Sequence, residues 1–448
     1  MLASPRARAF AVAAVAIFVA EQALLGWLYY AGRGKVLLGD EVRYLETARA
    51  ILAGGAWHPS EIWPPAQSLF VAALGASLAS VQIAQTLLFV ACGVLVARLA
   101  KKLTDDSTAA VIAAALFLLN PDNAAYAHWL WPEMPHLFVV LLALDLLLVH
   151  APSRWNAFVA GGLIGLALLF KNVLTAFWPL LLLAFVEWKP MRLRWREAAL
   201  FIVALGIAVA PALVAGHRNT GHWSIADSSA INLLLGLEDT TRNDYVPGAS
   251  ANRFAEYLAS GATPDERNAW AWKQIHAHLD ATPPLEIAQT QLDRQYFRLF
   301  EAKTLLLTQL PGPACAGYRG AYRDAPPAAV GVVRWSSHAA HALMLAGFAF
   351  GLCLWRRWRS LAPWLLVAFV GYQLALYAGL HVQARYLLPM VPVFCVFAGA
   401  ALARVVRASD VSGVIVATPL RLALGAALAA LLLWLAFAGP FLDGYCRA

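Results

Sequence analysis

The stretch that decides the fold is the first long apolar run, "AFAVAAVAIFVAEQALLGWLYY", residues 9–30. About 20 apolar residues in a helix cross a hydrocarbon core about 30 Å thick. Similar runs recur along the 448 residues, of which 61% are hydrophobic and only 13% charged, with a mean hydropathy of +0.62. Soluble domains carry about 25% charged residues. The sequence therefore predicts an all-α polytopic membrane protein, because a helix satisfies its own backbone hydrogen bonds in lipid.

The apolar pattern predicts about eleven transmembrane helices, the first retained as an anchor. Basic residues gather at alternate loops, which the positive-inside rule places in the cytoplasm together with the N-terminus. The C-terminus and the remaining loops then lie outside. The clusters are Lys101 and Lys102, Arg154, residues 189–196, residues 356–359, and Arg404 with Arg407. The predicted spans are 9–31, 81–100, 107–120, 134–150, 156–170, 173–188, 197–216, 337–354, 361–380, 384–403 and 415–438.

This topology divides the chain into three parts. An N-terminal transmembrane module covers 1–216 and includes a first external loop over 32–80. An external region covers 217–336, and further transmembrane helices cover 337–448. The patterns 40–53 and 65–79 predict two interfacial helices in the first loop. The external region contains two further helical patterns, "DERNAWAWKQIHAHLDATPP" and "EIAQTQLDRQYFRLFEAKTLLLTQL". Its length suffices for a small core of its own, packed on the membrane part.

Composition also excludes some classes of function. The net charge of +8 is distributed in short clusters beside apolar runs, as expected for membrane orientation rather than nucleic-acid binding. No nucleotide-binding fingerprint is present, which argues against direct use of a nucleotide sugar. No internal repeat is found, which argues against an inverted-repeat transporter. Cys315 and Cys446 are both expected outside, where oxidising conditions allow a disulfide between them. Whether the two cysteines approach closely enough to form it, or stay free, is left open by the sequence.

The first loop carries the clearest chemistry, in "LLGDEVRYLETARAILAGG", residues 37–55. Asp40 and Glu41 follow a glycine and open a helix, so one interpretation is an N-cap with an acid that complements the helix dipole. Arg43 lies three residues after Asp40 and so shares a face with it, and Tyr44 follows. The second interpretation is an active-site loop.

The loop resembles a known family. "GDEVRYLETARAILAGG…WPP" is similar to the first external loop of polytopic GT-C type glycosyltransferases that use polyprenyl-phosphate-linked sugars, such as protein mannosyltransferases and aminoarabinose transferases of lipid A. "NLLLGLEDTTRNDYVPG" (232–248) and "HVQARYLLPMVPVF" (381–394) also look like family segments. In the lipid A branch a lysine that helps to hold phosphate precedes the Pro-Pro, whereas Trp63 stands here. The sugar of that branch is therefore not carried over.

The resemblance implies an inverting transfer of sugar from a polyprenyl-phosphate donor to an acceptor hydroxyl on the outer face of a bacterial inner membrane. Asp40 would be the general base with Glu41 beside it, since a carboxylate within hydrogen-bond reach can take the hydroxyl proton. Arg43 would bind the donor phosphate in a bidentate way. The acceptor, whether lipid, glycan or protein, and any divalent cation stay open.

Four further positions join this hypothesis. Arg385 and Lys171 are candidate phosphate ligands, against the alternatives of an interfacial anchor and a snorkelling lysine. Glu133, in "WLWPEMPH", is a candidate second acid or metal ligand, against a helix cap. Tyr44 is a candidate on the acceptor side. His381 is expected to be an ordinary solvent or interface histidine.

Three other functions remain as alternatives. An O-antigen polymerase or ligase would use a lipid diphosphate donor and depend on arginine and histidine in the long external loop. A secondary transporter or flippase would place its polar residues near the bilayer midplane, whereas most of those here lie at the external membrane surface. A catalytically silent scaffold would not need Asp40, Arg43 and Arg385 together.

Overall fold

The computed structural model describes residues 5–30, 37, 39–58, 62–188, 191–239, 241–242, 249–302, 326–358, 360–406 and 413–442. Within these ranges the regular secondary structure is helical apart from a single β-bridge and one antiparallel hairpin, in which β1 (Val186–Trp188) pairs with β2 (Met191–Leu193). The predicted all-α class is therefore confirmed. Cys315 and Cys446 lie outside the described residues, so their disulfide stays a prediction.

The α-helices of the first half build most of the core. They are α1 (Pro5–Tyr30), α2 (Asp40–Leu52), α3 (Ala66–Ala73), α4 (Leu78–Thr104), α5 (Ser107–Leu118), α6 (Pro121–Ala125), α7 (Glu133–Leu148), α8 (Arg154–Phe170) and α9 (Trp195–Thr220). The second half begins with four helices of the external region and returns to long apolar helices. They are α10 (Ser229–Glu238), α11 (Ala249–Ala259), α12 (Pro264–Ala281), α13 (Pro284–Phe300), α14 (Pro327–Leu354), α15 (Leu361–Tyr377), α16 (Val391–Val406), α17 (Pro419–Phe437) and α18 (Gly439–Leu442).

The apolar helices make this a multi-pass membrane protein. Five of the described helices are long and apolar enough to cross a bilayer, or six if α5 and the segment 121–128, bent by 57°, form one broken span. The other predicted spans stay predictions, except that 173–188 is not an α-helix. It forms 3₁₀ turns over Asn172–Leu174 and Trp178–Phe185 and then enters β1. Pro179, which has no backbone N–H to donate, stands near the start of the second turn.

Small residues allow the long helices to approach closely. A Cβ added at Gly161 of α8 would lie 2.1 Å from the carbonyl oxygen of Phe201 in α9, and one at Gly351 of α14 would lie 2.1 Å from that of Phe397 in α16. Close backbone contact of this kind is how helices associate in lipid, where apolar side chains gain little by leaving the solvent. Arg98 of α4 adds a bidentate ion pair with Asp145 of α7, at 2.9 and 3.0 Å.

The first loop contains the two predicted helices, with different lengths. Helix α2 begins at Asp40 and buries Glu41, Tyr44, Leu45 and Ala48. The apolar residues Val42 and Leu52 of this helix are exposed. Glu41 is buried because its carboxylate accepts a backbone N–H inside. The second interfacial helix is the short α3, after which α4 begins one long span, as predicted.

The external region has a small core of its own. Ile231, Leu234 and Leu235 of α10 pack with Tyr257 of α11 and Ile275 of α12. The two predicted helices are α12 and α13, and α10 and α11 were not predicted. Helix α12 begins with a capping box, in which Thr263 accepts the Glu266 N–H and the Glu266 carboxylate accepts that of Thr263.

Candidate active site

Four charged side chains from four distant segments meet at one end of the helix bundle. Arg385 donates from Nη2 to Asp40 Oδ2 at 3.2 Å, and its Nε lies 3.7 Å from Glu133 Oε1. Lys171 Nζ donates to the same Glu133 Oε1 at 3.1 Å. This ion-pair cluster, Asp40–Arg385–Glu133–Lys171, contains four of the seven residues selected from the sequence.

Each member of the cluster lies at the beginning or end of a helix or in a turn that leads into one. Asp40 is the first residue of α2 and follows Gly39, whose φ of +55° and ψ of −124° suit glycine. It is therefore not an N-cap, and its carboxylate is free to turn to Arg385. Glu133 opens α7 after Pro132, and Lys171 caps α8 in an extended conformation. Arg385 lies in a 3₁₀ turn, Ala384–Met390, which leads into α16.

Exposure differs sharply within the ion-pair cluster. The Asp40 side chain is 32% exposed, whereas those of Arg385, Lys171 and Glu133 are 11%, 13% and 2% exposed. Buried charges are tolerated only when they are paired, and three of these are buried against one another. Asp40 is thus the one acid of the cluster that an incoming molecule can reach.

The buried members influence one another's protonation. Burial acts to raise the pKa of Glu133, but the charges of Lys171 and Arg385 outweigh it and lower that pKa below its ordinary value. Burial lowers the pKa of Lys171, which Glu133 only partly opposes. Burial, with the charges of Asp40 and Glu133 adding to it, raises the pKa of Tyr44 well above its ordinary value. Tyr44 is therefore a neutral hydroxyl beside the cluster.

Aromatic rings surround the two cations. The Arg385 guanidinium lies 4.4 Å from the ring centre of Trp131 and 5.5 Å from that of Tyr386. Lys171 Nζ lies 4.8 Å from the Tyr386 ring, which stacks on Tyr377 at 5.3 Å. Cation–π contacts of this kind hold a charge in place while leaving its hydrogen-bond donors directed elsewhere. Tyr386, which follows Arg385 in the chain, thus contacts both cations of the ion-pair cluster.

Glu41 does not join the ion-pair cluster. It is completely buried, and its Oε1 accepts the backbone N–H of Leu130 at 2.8 Å. Gln67 of α3 donates to the carbonyl oxygen of the same Leu130 at 2.9 Å. Together they hold the turn that leads to Glu133. The Glu41 carboxylate thus anchors this turn, and its predicted catalytic role beside Asp40 stays a prediction.

Arg43 also lies apart from the other predicted phosphate ligands. Its side chain is 64% exposed and comes no closer than 4.0 Å to Glu46, its helix neighbour. Asp40 turns towards Arg385 instead. Arg43 and Tyr44 line a cleft together with Trp57, His58 and Trp63.

Two groups of residues escaped the sequence reasoning. His381 is buried rather than exposed, with Nδ1 2.9 Å from Asp239 Oδ2, and Arg298 donates to the same oxygen. His136, one turn after Glu133 on α7, is fully buried and has no hydrogen-bond partner on either ring nitrogen. The only signal for these residues was their presence in segments already noted for other reasons, since burial depends on tertiary contacts.

Buried polar atoms without partners collect around the cluster. Besides both nitrogens of His136, they include Glu133 Oε2 and the indole nitrogen of Trp131. A buried polar atom without a partner costs about 1–3 kcal/mol, so several in one place are typical of a site that is completed by a ligand. No described group of three His, Cys, Asp or Glu side chains is placed to hold a metal ion, and both carboxylates of the cluster are already paired with cations. The residues therefore fit an anion better than a metal.

Comparison with known proteins gives three solved structures. No protein-family model and no curated protein sequence matches the chain. The oligosaccharyltransferase of Archaeoglobus fulgidus, solved with a tethered acceptor peptide, is 15% identical with a TM-score of 0.46, over 96% of this chain and 55% of its own. The chain thus spans about half the length of that protein. The structure of ArnT of Cupriavidus metallidurans bound to undecaprenyl phosphate matches with 14% identity and a TM-score of 0.38, over 88% of this chain and 78% of its own. Its apo form is 16% identical (TM-score 0.36, 87% and 77%).

The identities and TM-scores of these matches are low and do not assign a family, a substrate or an activity to this chain.

Proposed function

We propose that the protein is an integral-membrane glycosyltransferase that moves a sugar from a polyprenyl-phosphate donor to an acceptor hydroxyl. The observation that carries this proposal is the ion-pair cluster, which combines one accessible carboxylate, Asp40, with two cations, Arg385 and Lys171. That is the set of groups needed to take a proton from a hydroxyl and to stabilise a departing phosphate.

The reaction is written as a single displacement. The acceptor oxygen forms a bond to the anomeric carbon while the bond from that carbon to the phosphate oxygen breaks, with inversion. The hydroxyl proton passes to Asp40, and polyprenyl phosphate leaves with the bonding electrons. Arg385 and Lys171 stabilise the negative charge that grows on the leaving phosphate. Glu133 keeps the two cations in position through its Oε1.

The location is part of the proposal. Asp40, Glu133, Lys171 and Arg385 all belong to turns that the distribution of Lys and Arg assigns to the outside. We infer a multi-pass protein of a bacterial inner membrane, with a cytoplasmic N-terminus and an active site that faces the periplasm. A membrane-bound donor fits this place, since its phosphate lies at the interface while its chain stays in lipid. The sugar and the acceptor are left open.

The test is transfer by Asp40→Asn in membranes supplied with a radiolabelled polyprenyl-phosphate sugar pool and native envelope as acceptor. We expect a loss of about a hundredfold or more, because general-base catalysis contributes about 10²–10⁴-fold. Glu46→Gln is the matched control, since Glu46 is a 60% exposed acid on the same helix. Fluorescence-detected size exclusion confirms equal folded amounts. Unchanged specific activity in Asp40→Asn would overturn the role of Asp40 and favour an enzyme that depends on the arginines of the external region.

A further inference from the structure

A second polar site lies beside the ion-pair cluster. We call it the tryptophan cleft; its walls include Arg43, Tyr44, Trp57, His58 and Trp63. It is a small cleft that is open to solvent at its mouth. Ligand sites are typically concave, lined by aromatic rings, and equipped with few polar groups that fix orientation. Arg43 and Tyr44 stand three and four residues after Asp40 on α2, so the cleft and Asp40 share one face of that helix.

The wall of the cleft is held in place from outside the first loop. His58 Nε2 donates to the carbonyl oxygen of Ile225 at 2.9 Å, and the His58 carbonyl oxygen accepts from Asn219 at 3.0 Å. The Trp63 ring packs edge-on against Phe254 of α11 at 6.1 Å. The cleft is therefore a built feature shared by the first loop and the external region, not a gap in a mobile turn.

The hydrogen bonding of His58 indicates which kind of ligand the cleft can bind. Its side chain is only 3% exposed, and its Nδ1 has no hydrogen-bond partner. Because Nε2 must hold its proton to donate to Ile225, Nδ1 of the neutral ring presents a lone pair. Burial lowers the pKa of His58, which keeps the ring neutral at pH 7. A buried acceptor of this kind is satisfied by a hydroxyl donor and not by the phosphodiester of a lipid-linked sugar, which has no proton to give.

The aromatic walls restrict the ligand further. Trp57 is 38% exposed next to His58, with ring centres 5.5 Å apart, and Trp63 faces the same cleft. An indole offers a broad apolar face, which suits the C–H face of a sugar ring, whose hydroxyls point sideways to polar partners. Arg43 is the only lysine, arginine or acid among the described residues lining the cleft. One exposed cation without an acid is a weak phosphate site but an ordinary donor to a sugar hydroxyl.

We propose that the tryptophan cleft binds a neutral hydroxylated ring, a sugar residue of the substrate, by stacking on Trp57 and Trp63 and by a hydrogen bond to His58 Nδ1. This inference rests on the proposed function for the identity of that substrate, and it adds that one partner in the transfer is recognised through its sugar. The ring comes either from a glycan acceptor or from the donor, and both sources share this chemistry.

The experiment measures binding and not transfer. Methyl glycosides of hexoses and pentoses are added to the purified full chain in nanodiscs, and binding is followed by saturation-transfer NMR at the ring protons. We expect Trp57→Ala and His58→Gln to weaken binding about tenfold each, the effect of one lost stacking or hydrogen-bonding contact. The glutamine amide can still donate to Ile225 but no longer offers an acceptor at the position of Nδ1. Trp57→Phe should recover part of the affinity.

The control is Trp272→Ala, because Trp272 is 45% exposed on α12 and lies outside the cleft. A saturating amount of the polyprenyl-phosphate-linked sugar distinguishes the two sources: glycoside binding that persists assigns the ring to the acceptor, and binding that is displaced assigns it to the donor. The proposal is overturned if no glycoside binds the wild-type chain, if Trp57→Ala and His58→Gln bind like wild type, or if inorganic phosphate alone occupies the cleft.

Failure here is separable from failure of the transferase proposal. Asp40→Asn should bind glycosides like wild type, since Asp40 does not line the cleft. A chain that binds glycosides but transfers no sugar would refute the enzyme and leave the cleft intact. A chain that transfers sugar but binds no glycoside would refute the cleft alone.

Discussion

At the scale of the residue, the pairing of Glu133 with Lys171 sets how activity depends on pH. Lys171 must keep its proton to stabilise phosphate, and burial brings its pKa below the ordinary 10.5. Activity should therefore fall on the alkaline side, as pH rises through that lowered pKa. Lys171→Arg should move the alkaline limb to higher pH, because the guanidinium does not lose its proton in this range.

Glu133→Gln should move the alkaline limb of the pH–rate profile to lower pH. The negative charge of Glu133 raises the pKa of Lys171, so its removal lets that pKa fall further. Normalised pH–rate profiles of wild type and the two variants, measured in liposomes, test both shifts. Identical alkaline limbs in all three proteins would show that Lys171 does not carry the charge used in transfer.

At the scale of the element, α10 and α13 hold the segment that carries Arg385. The side chains of Arg298 on α13 and of His381 both contact Asp239, which follows α10. The backbone N–H of His381 donates to the carbonyl oxygen of Asn232 in α10 at 2.8 Å. The side chains of Arg298, Asp239 and His381 are all buried. Removing one partner of a buried ion pair costs about 3–5 kcal/mol, because the other charge is left unpaired. The external region thus fixes the residues just ahead of Arg385.

Gly236 is the point where this contact is tightest. A Cβ there would lie 2.5 Å from the carbonyl carbon of Leu380 and 2.6 Å from the backbone nitrogen of His381. Gly236→Ala should therefore push α10 from that segment, at a cost of about 1–3 kcal/mol, and lower transfer with it. Gly162→Ala is the control, because a Cβ at Gly162 of α8 meets no atom within 4 Å. Thermal unfolding and transfer rates are measured on both; equal Tm values would contradict the close contact.

At the scale of the whole molecule, the predicted topology places the ion-pair cluster and the opposite helix ends on different sides of the membrane. Ala262, in the external region, and Ala151, between α7 and α8, are both exposed. In a cysteine-free background, Ala262→Cys should react with a membrane-impermeant maleimide in bacteria whose outer membrane has been permeabilised. Ala151→Cys should react only after the inner membrane is opened. The reverse labelling pattern would invert the predicted orientation and remove the periplasmic location from the proposed function.

The sequence by itself determined the elements and the site's general place. Apolar runs predicted the long helices, and the glycine before Asp40 marked the start of α2. The positions of Lys171, Glu133 and Arg385 at the ends of apolar runs indicated which turns would carry polar chemistry. These features are local, since hydropathy and helix boundaries depend on residues a few positions apart.

Only the tertiary structure decided which of these residues meet. Asp40 and Arg385 are 345 positions apart, and no local pattern distinguishes the buried anchor Glu41 from the accessible acid next to it. The role of a polar side chain depends on the partner that folding brings to it, and a partner in a distant segment has no signature at the residue's own position. The ion-pair cluster, the tryptophan cleft and the buried His381 all belong to this second kind of information.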